Sequence, residues 1–187
     1  MKKIQLKQVL RNKRFVLFTI ILPIGWYIFF DQLQKGVSPS ILLGIAVFIG
    51  VIGNSLATFS KRIASDIGFY SFESHFTSYS VKNYLWDQSI VQLILNSLIF
   101  LAVLVVAVLG FHFPVTTSLL VQFFLLSLMG IYFSVIGFVL GVRVDAKTID
   151  TIGFPIIILA AMTIIPFDTL GASGGFMDLV GKLQRAF

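Results

Sequence analysis

Residues 60–89 read SKRIASDIGFYSFESHFTSYSVKNYLWDQS, the longest polar stretch in a chain that is 57% hydrophobic and only 12% charged. Soluble domains carry about a quarter charged residues, so this composition indicates a protein that resides in a lipid bilayer. Within the stretch, aromatic residues recur at intervals of three and four: Phe69, Phe72, Phe76 and Tyr79. That spacing aligns one face of an α-helix. The sequence therefore predicts a helical docking surface between two groups of apolar segments.

Five apolar runs surround this stretch, and each is predicted to cross the membrane as an α-helix. The predicted fold class is an all-α, polytopic membrane bundle in one transmembrane domain. The spans are residues 15–33, 41–59, 89–113, 116–142 and 152–166, and residues 60–88 form the polar segment between the second and the third. Because the fifth run is short and contains Pro155, we expect it to be broken or incomplete. Residues 167–187 are predicted to form a re-entrant or amphipathic outer tail.

The first fourteen residues are strongly basic, with six of the fourteen Lys and Arg residues of the chain and no acidic residue. On a helix, Lys3, Lys7 and Arg11 share one face, and Leu6 and Leu10 lie on another. This pattern is typical of a helix that lies in the headgroup plane of the membrane. Residues 1–14 are therefore predicted to be an interfacial helix, the alternative being an ordinary positive flank.

The distribution of basic residues predicts the orientation. Residues 1–14, 60–89 and 143–150 together hold eleven Lys and Arg, whereas residues 31–40 hold one and residues 114–115 none. The positive-inside rule then places the N-terminus and the polar segment in the cytoplasm, in a multi-pass protein of the cytoplasmic membrane. The net charge of +6 is explained by anionic membrane lipid and not by nucleic acid, because the basic residues flank apolar runs.

Small residues form a stripe on two of the predicted spans, which indicates close helix packing because small side chains let backbones approach. The stripe on the second span is Ala46, Gly50, Gly53 and Ala57, and the stripe on the fourth is Gly130, Ser134, Gly137 and Gly141.

Amide side chains form a further pattern. Gln88, Gln92 and Asn96 repeat every four residues along the third span, and Asn54 is the only amide of the second. Such a face must contact protein, water or substrate instead of lipid. Two interpretations remain open, namely hydrogen bonding between helices and the lining of a translocation path.

The residues needed for several kinds of chemistry are missing. The only Gly-Lys pair, Gly181-Lys182, is not followed by Ser or Thr, so the sequence has no phosphate-binding loop. There is no cysteine, and His75 and His112 lie in different predicted loops. Glu73 is the only glutamate, which excludes a paired-glutamate protease. We therefore predict that this chain is not an enzyme and holds no cofactor or metal.

The order of these parts resembles the permease (transmembrane) subunit of a type-2 ATP-binding-cassette transporter. In that family a charged segment, a glycine and an apolar helix form the loop after the second span. Here the corresponding residues are Lys61, Arg62, Asp66, Gly68, the stripe 69–76 and Thr77. Residues 141–150 and Pro166-Phe167 are similar to the family's loop before the fifth span and its re-entrant segment.

The resemblance implies that the polar segment is a coupling helix that docks on a separate cytoplasmic ATPase subunit, which holds ATP and Mg. The implied docking residues are Gly68, Phe69, Phe72, Glu73, Phe76, Thr77 and Tyr79. It also implies a second permease subunit, in a homo- or heterodimer, and ATP-driven export of a hydrophobic or amphipathic substrate.

Family members normally have a sixth span, whereas this sequence ends at Phe187 before one. We expect a chain truncated before that span, the alternative being a five-span form. A second hypothesis of function is a membrane scaffold or self-immunity protein that has no ATPase partner. A secondary transporter or channel is less favoured, because such proteins place ionisable residues within their spans.

Overall fold

The computed structural model describes residues 6–7, 10–11, 16–33, 36–76, 81–164 and 182, without the side chains of residues 17, 18, 33, 69–76, 81, 163 and 164. Across these residues the backbone forms five continuous helices and no β-strand. The predicted all-α class is therefore confirmed.

The helices follow one another through short connections. The first consists of a π-helical stretch, Val16–Ile21, and α1, Leu22–Leu33. The second, which we call the central helix, consists of α2, Pro39–Ile52, a π-helical turn, Gly53–Thr58, and α3, Phe59–Phe76. The last three are α4, Val81–Phe111, α5, Ser118–Arg143, and α6, Ala146–Ile164.

Three of these helices are long and apolar enough to cross a membrane, within the part of the chain that the structure describes: Pro39–Gly68, Lys82–Phe111 and Ser118–Arg143. The five apolar spans expected from the sequence are thus reduced to three. In the first helix the α-helical part, α1, has 12 residues and follows the π-helical stretch. The last helix, α6, has 19 residues, contains Pro155 and carries Lys147 and Asp150 in its first two turns.

The other helices pack around the central helix. In the most apolar part of Pro39–Gly68, 72% of the residues are buried, against 33% for α4 and 17% for α5. From Pro39 to Phe76 the central helix is about 57 Å long, nearly twice the roughly 30 Å of a hydrocarbon core. The predicted polar segment therefore begins as a direct continuation of the second span, with no loop between them.

The two faces of the central helix have different neighbours. On one face, Leu43 and Val47 pack with Tyr27 of α1 and with Ile99 and Val103 of α4 in a buried cluster. On the other face, the helix packs against α5 and α6, where Phe48 meets Phe133 with ring centroids 6.0 Å apart. Most of the outward surface of α5 is apolar and exposed, as expected of a helix that faces lipid.

The connection between α5 and α6 is much shorter than the loop expected at residues 141–150. It contains only Val144 and Asp145, because α5 continues through Arg143 and α6 begins at Ala146. The carboxylate of Asp145 accepts hydrogen bonds from the backbone N–H of Thr148 at 2.9 Å and from its hydroxyl at 2.6 Å. This capping satisfies a backbone donor of the first turn of α6, so the helix starts immediately.

Candidate functional site

Buried amide side chains line the interface between α4 and the central helix. Gln88, Gln92 and Asn96 are 0%, 2% and 3% exposed, and Asn54 on the central helix is 1% exposed. Ser55, next to Asn54, is also fully buried. We call these five residues the polar seam. Along α4 the seam extends over two helical turns, about 12 Å.

At the Asn96 end of the polar seam, hydrogen bonds join several helices. The Asn54 Nδ2 donates to the Asn96 Oδ1 at 2.8 Å, and the Gln92 Nε2 donates to the Ser55 Oγ at 3.2 Å. The Ser55 hydroxyl in turn donates to the carbonyl oxygen of Gly130 on α5 at 3.2 Å. Three long helices are therefore joined by side chains at one level of the bundle.

Only some of the polar atoms of the polar seam have hydrogen-bond partners. Within the described residues, buried polar atoms without a hydrogen-bond partner include the Asn54 Oδ1, the Gln92 Oε1 and the Asn96 Nδ2. Both polar atoms of the Gln88 amide also lack a partner there. Unpaired buried polar groups are unfavourable and uncommon in proteins. The seam therefore retains donors and acceptors for water, a ligand or a rearranged set of helix contacts.

The central helix presents Asn54 and Ser55 through its π-helical turn. Both residues lie within Gly53–Thr58, a stretch wider than an α-helix, and such turns occur frequently at functional sites. In this turn Asn54 bonds to α4 while the neighbouring Ser55 bonds to α5.

The amide stripe on α4 could be predicted from the sequence, because its residues repeat every four positions. Ser55 was missed, because one serine beside an apolar run has no period.

A charged group, Arg62, lies beyond the Gln88 end of the polar seam. The guanidinium carbon of Arg62, on α3, lies 5.1 Å from the ring centroid of Phe59. Tyr84, one turn before Gln88 on α4, packs with Phe59 and Ile63 in a small buried cluster. In the sequence Arg62 was noted only as one of the charged residues of the polar segment, since its burial depends on contacts between two helices.

Next to Arg62, Lys61 forms an ion pair with Asp150 that connects the central helix to α6. The Lys61 Nζ lies 2.7 and 2.5 Å from the two carboxylate oxygens of Asp150. Both side chains are partly exposed, at 37% and 49%. This pair ties α3 to the first turns of α6 at the surface of the bundle.

The small-residue stripe of α5 lies against the central helix. A Cβ atom added at Gly141 would come 2.5 Å from the Ser60 carbonyl oxygen, and one added at Gly137 would overlap the Ser55 carbonyl oxygen. At Gly130 the missing side chain leaves room for the amide of Asn96. The fourth member, Ser134, donates from its hydroxyl to the Gly130 carbonyl oxygen at 2.6 Å.

The small-residue stripe of the central helix contacts more than one neighbouring helix. Ala46 is buried in the cluster with α1 and α4. A Cβ atom added at Gly50 would lie 2.5 Å from Pro23 Cγ and 2.9 Å from Ile99 Cγ2. In contrast, Gly53 faces Ile157 of α6, and the Cβ of Ala57 lies where a side chain at Gly153 would be, 3.1 Å away. The four residues therefore divide between the two sides of the central helix.

The docking residues predicted for the coupling helix lie mostly outside the described side chains. Gly68 is exposed on α3, and a Cβ atom added there would meet nothing within 4 Å. The backbone of α3 includes Phe69, Phe72, Glu73 and Phe76, whose side chains are not described. Thr77 and Tyr79 fall outside the described residues. The docking surface therefore stays a prediction.

Among the described residues, no cluster of three or more His, Cys, Asp or Glu side chains could hold a metal ion. Comparison with known proteins gives no match to a protein-family model, a curated protein or a solved structure.

Proposed function

We propose that this chain is the transmembrane permease subunit of an ATP-binding-cassette exporter, driven by ATP that a separate ATPase subunit hydrolyses. The observation that carries the proposal is the unbroken central helix. The middle of this helix carries the polar seam residues Asn54 and Ser55, and its C-terminal part carries the predicted docking residues Phe69, Phe72 and Phe76. A helix can transmit a displacement of its end to residues further along it.

The partly satisfied seam supports a moving structure more than a static one. Asn54, Gln92 and Asn96 each keep one polar atom unpaired in the described residues. A second arrangement of α4 against the central helix can use these atoms in new hydrogen bonds, so two arrangements of similar free energy become accessible. An ATPase that binds the two arrangements with different affinity would shift their populations. In this proposal the seam lines the path of a hydrophobic or amphipathic substrate.

The complete proposed assembly contains more than this chain. Its permease has α1 and α6 crossing the cytoplasmic membrane beside the three long apolar helices, with the N-terminus in the cytoplasm. A second permease subunit, identical or homologous, completes the path, and ATP and Mg are bound only by the ATPase. The apolar exposed surface of α5, which includes Leu120, Phe124 and Val135, suits contact with lipid or with the second subunit.

The proposal is tested by affinity purification of the tagged full chain from native membranes. We expect a nucleotide-binding ATPase to co-purify in stoichiometric amount and to be lost from the double variant Phe72→Ala, Phe76→Ala. The control variant Phe124→Ala, Leu128→Ala removes two large exposed apolar side chains from α5 and should keep the ATPase. Resistance to carbonate extraction checks that each variant is inserted. Absence of an ATPase, or equal retention by both variants, contradicts the proposal.

A scaffold or self-immunity protein is the second candidate. It is favoured by the direct bonds from Asn54 to Asn96, from Gln92 to Ser55 and from Ser55 to Gly130, since side chains that join three helices suit a fixed bundle. The same purification separates the two candidates, because a scaffold or self-immunity protein without an ATPase partner would yield no nucleotide-binding subunit.

A further inference from the structure

The guanidinium group of Arg62 is buried without a hydrogen-bond partner. Its Nε, Nη1 and Nη2 atoms are all shielded from solvent, and none has a partner within the described part of the chain. The ring of Phe59, 5.1 Å from the guanidinium carbon, provides a cation–π contact. A phenylalanine ring has no oxygen or nitrogen acceptor, so this contact leaves the N–H donors without a hydrogen-bond partner.

The acidic side chains near Arg62 do not satisfy it. Asp150 is paired with Lys61, and Asp145 accepts hydrogen bonds from Thr148. Asp66, one turn after Arg62 on α3, interacts with it electrostatically but accepts no hydrogen bond from it. The N–H donors of Arg62 therefore lack a hydrogen-bond acceptor among the described residues.

Gln88 provides a second unsatisfied group on the facing helix. Its side chain is fully buried, and neither its nitrogen nor its oxygen has a partner among the described residues. On α4 it lies one turn from Gln92, which bonds to Ser55, and one turn from Tyr84, which packs against Ile63. Gln88 therefore lies one helical turn from the cluster that contains Phe59, the ring that contacts Arg62.

We propose that Arg62 and Gln88 form a binding site for an oxyanion, either a phosphate or a carboxylate group. The planar guanidinium offers two parallel N–H donors, a geometry that matches two oxygens of such a group. The Gln88 amide adds a neutral donor from the opposite helix. The site goes beyond the proposed transport function, because it requires no ATPase.

The depth of the site indicates one source of the oxyanion. Arg62 lies three residues after the apolar run 41–59, which is about 4.5 Å further along the helix. This is the level at which phospholipid phosphates lie beside a spanning helix. A free anion from the aqueous phase offers the same oxygens, so the source has to be separated by experiment.

The test measures anion binding by the purified full chain in neutral detergent. The probes are short-chain phosphatidylglycerol, the zwitterionic phosphatidylcholine and inorganic phosphate, and bound lipid is counted by native mass spectrometry alongside thermal shifts. We expect Arg62→Gln to weaken binding of the anionic probe by about tenfold or more, since charge-assisted hydrogen bonds are lost. Gln88→Ala should weaken it less.

Three control variants keep the test decisive. Lys147→Gln removes the same charge from an exposed position at the same end of the bundle and should leave binding unchanged. Arg62→Lys keeps the charge but loses the paired donors, so its binding should be intermediate even if Arg62→Gln folds poorly. Asp66→Asn removes the nearest negative charge and should strengthen binding.

The outcomes divide as follows. Arg62-dependent binding of phosphatidylglycerol alone identifies a lipid headgroup site, and Arg62-dependent binding of inorganic phosphate identifies a site for a free anion; both support the proposal. Equal losses in Arg62→Gln and Lys147→Gln would show only diffuse surface attraction and overturn it. Absence of Arg62-dependent binding of either anionic probe overturns it as well. So does an Asp66→Asn variant that is destabilised without any gain in binding, because Asp66 is then the internal partner.

Discussion

The side-chain amide of Asn54 donates a 2.8 Å hydrogen bond to the side-chain oxygen of Asn96, which joins the central helix to α4 across 42 positions of the chain. Both residues are almost completely buried. Hydrogen bonds between membrane helices contribute modestly to stability, because the unfolded chain in a membrane also finds partners. Their removal therefore gives a measurable effect without abolishing the fold.

We expect a double-mutant cycle of Asn54→Ala and Asn96→Ala to give a coupling free energy of about 0.6 kcal/mol, with an upper limit of about 1.7 kcal/mol. The measurement is the free energy of unfolding in mixed micelles. The pair Asn54→Ala and Ser97→Ala is the control and should be additive, since Ser97 bonds to the Leu93 carbonyl oxygen of its own helix. Zero coupling between Asn54 and Asn96 would mean that this bond is not formed in the membrane.

Gly137→Ala should destabilise the bundle by about 1–3 kcal/mol, the usual effect of overpacking. The new methyl group would overlap the carbonyl oxygen of Ser55, and a backbone atom cannot move aside as a flexible side chain can. Gly25→Ala is the matched control, because its added methyl group meets nothing within 4 Å. Thermal denaturation in detergent should show a lower midpoint for Gly137→Ala only. Equal midpoints would refute the close approach of α5 to the central helix.

His112 adopts a left-handed backbone conformation, with φ of 52°. It follows the last residue of α4, and the next N–H, of Phe113, donates to the Ala107 carbonyl oxygen at 3.2 Å. Left-handed residues are common at helix ends, where glycine is preferred because other residues pay about 1–2 kcal/mol. His112→Gly should therefore raise the denaturation midpoint, whereas His112→Val should lower it. An increase with valine would contradict this geometry.

The hydrogen bonds from the Thr148 hydroxyl and backbone N–H lower the pKa of the Asp145 carboxyl group below its ordinary value. Because the folded state has the lower pKa, it favours the ionised carboxylate that caps α6. This contribution is fully present above the unfolded pKa of about 3.9 and is lost as the pH falls through the folded pKa.

Asp145→Ala should therefore lower the denaturation midpoint at neutral pH, and its deficit relative to the wild type should shrink as the pH falls below about 4. Thr148→Val, which removes the hydroxyl donor but keeps the backbone donor, should show a smaller deficit with the same pH trend. A deficit that is constant from neutral to acidic pH would show that the Asp145 charge makes no contribution.

Local patterns predicted much of this architecture. Hydropathy identified the apolar part of the central helix, α4 and α5 as apolar helices, because the length of an apolar run and its helical period are properties of one segment. The four-residue repeat of Gln88, Gln92 and Asn96 likewise placed the amides on one face of α4 before any neighbour was known. Hydropathy did not show that the first apolar run divides into a π-helical stretch and a 12-residue α-helix, since a run of apolar letters does not fix the type of helix that it forms.

The sequence by itself determined that this protein is a helical membrane protein, which of its segments are apolar and which face of α4 is polar. Only the tertiary structure decided that Asn54 bonds to Asn96, that Ser55 reaches α5 and that Arg62 is buried without a partner. The physical reason is that periodicity depends on neighbours along the chain. Burial and hydrogen bonding depend on how closely two helix backbones approach. A glycine such as Gly137 allows a close approach only where another helix lies against it.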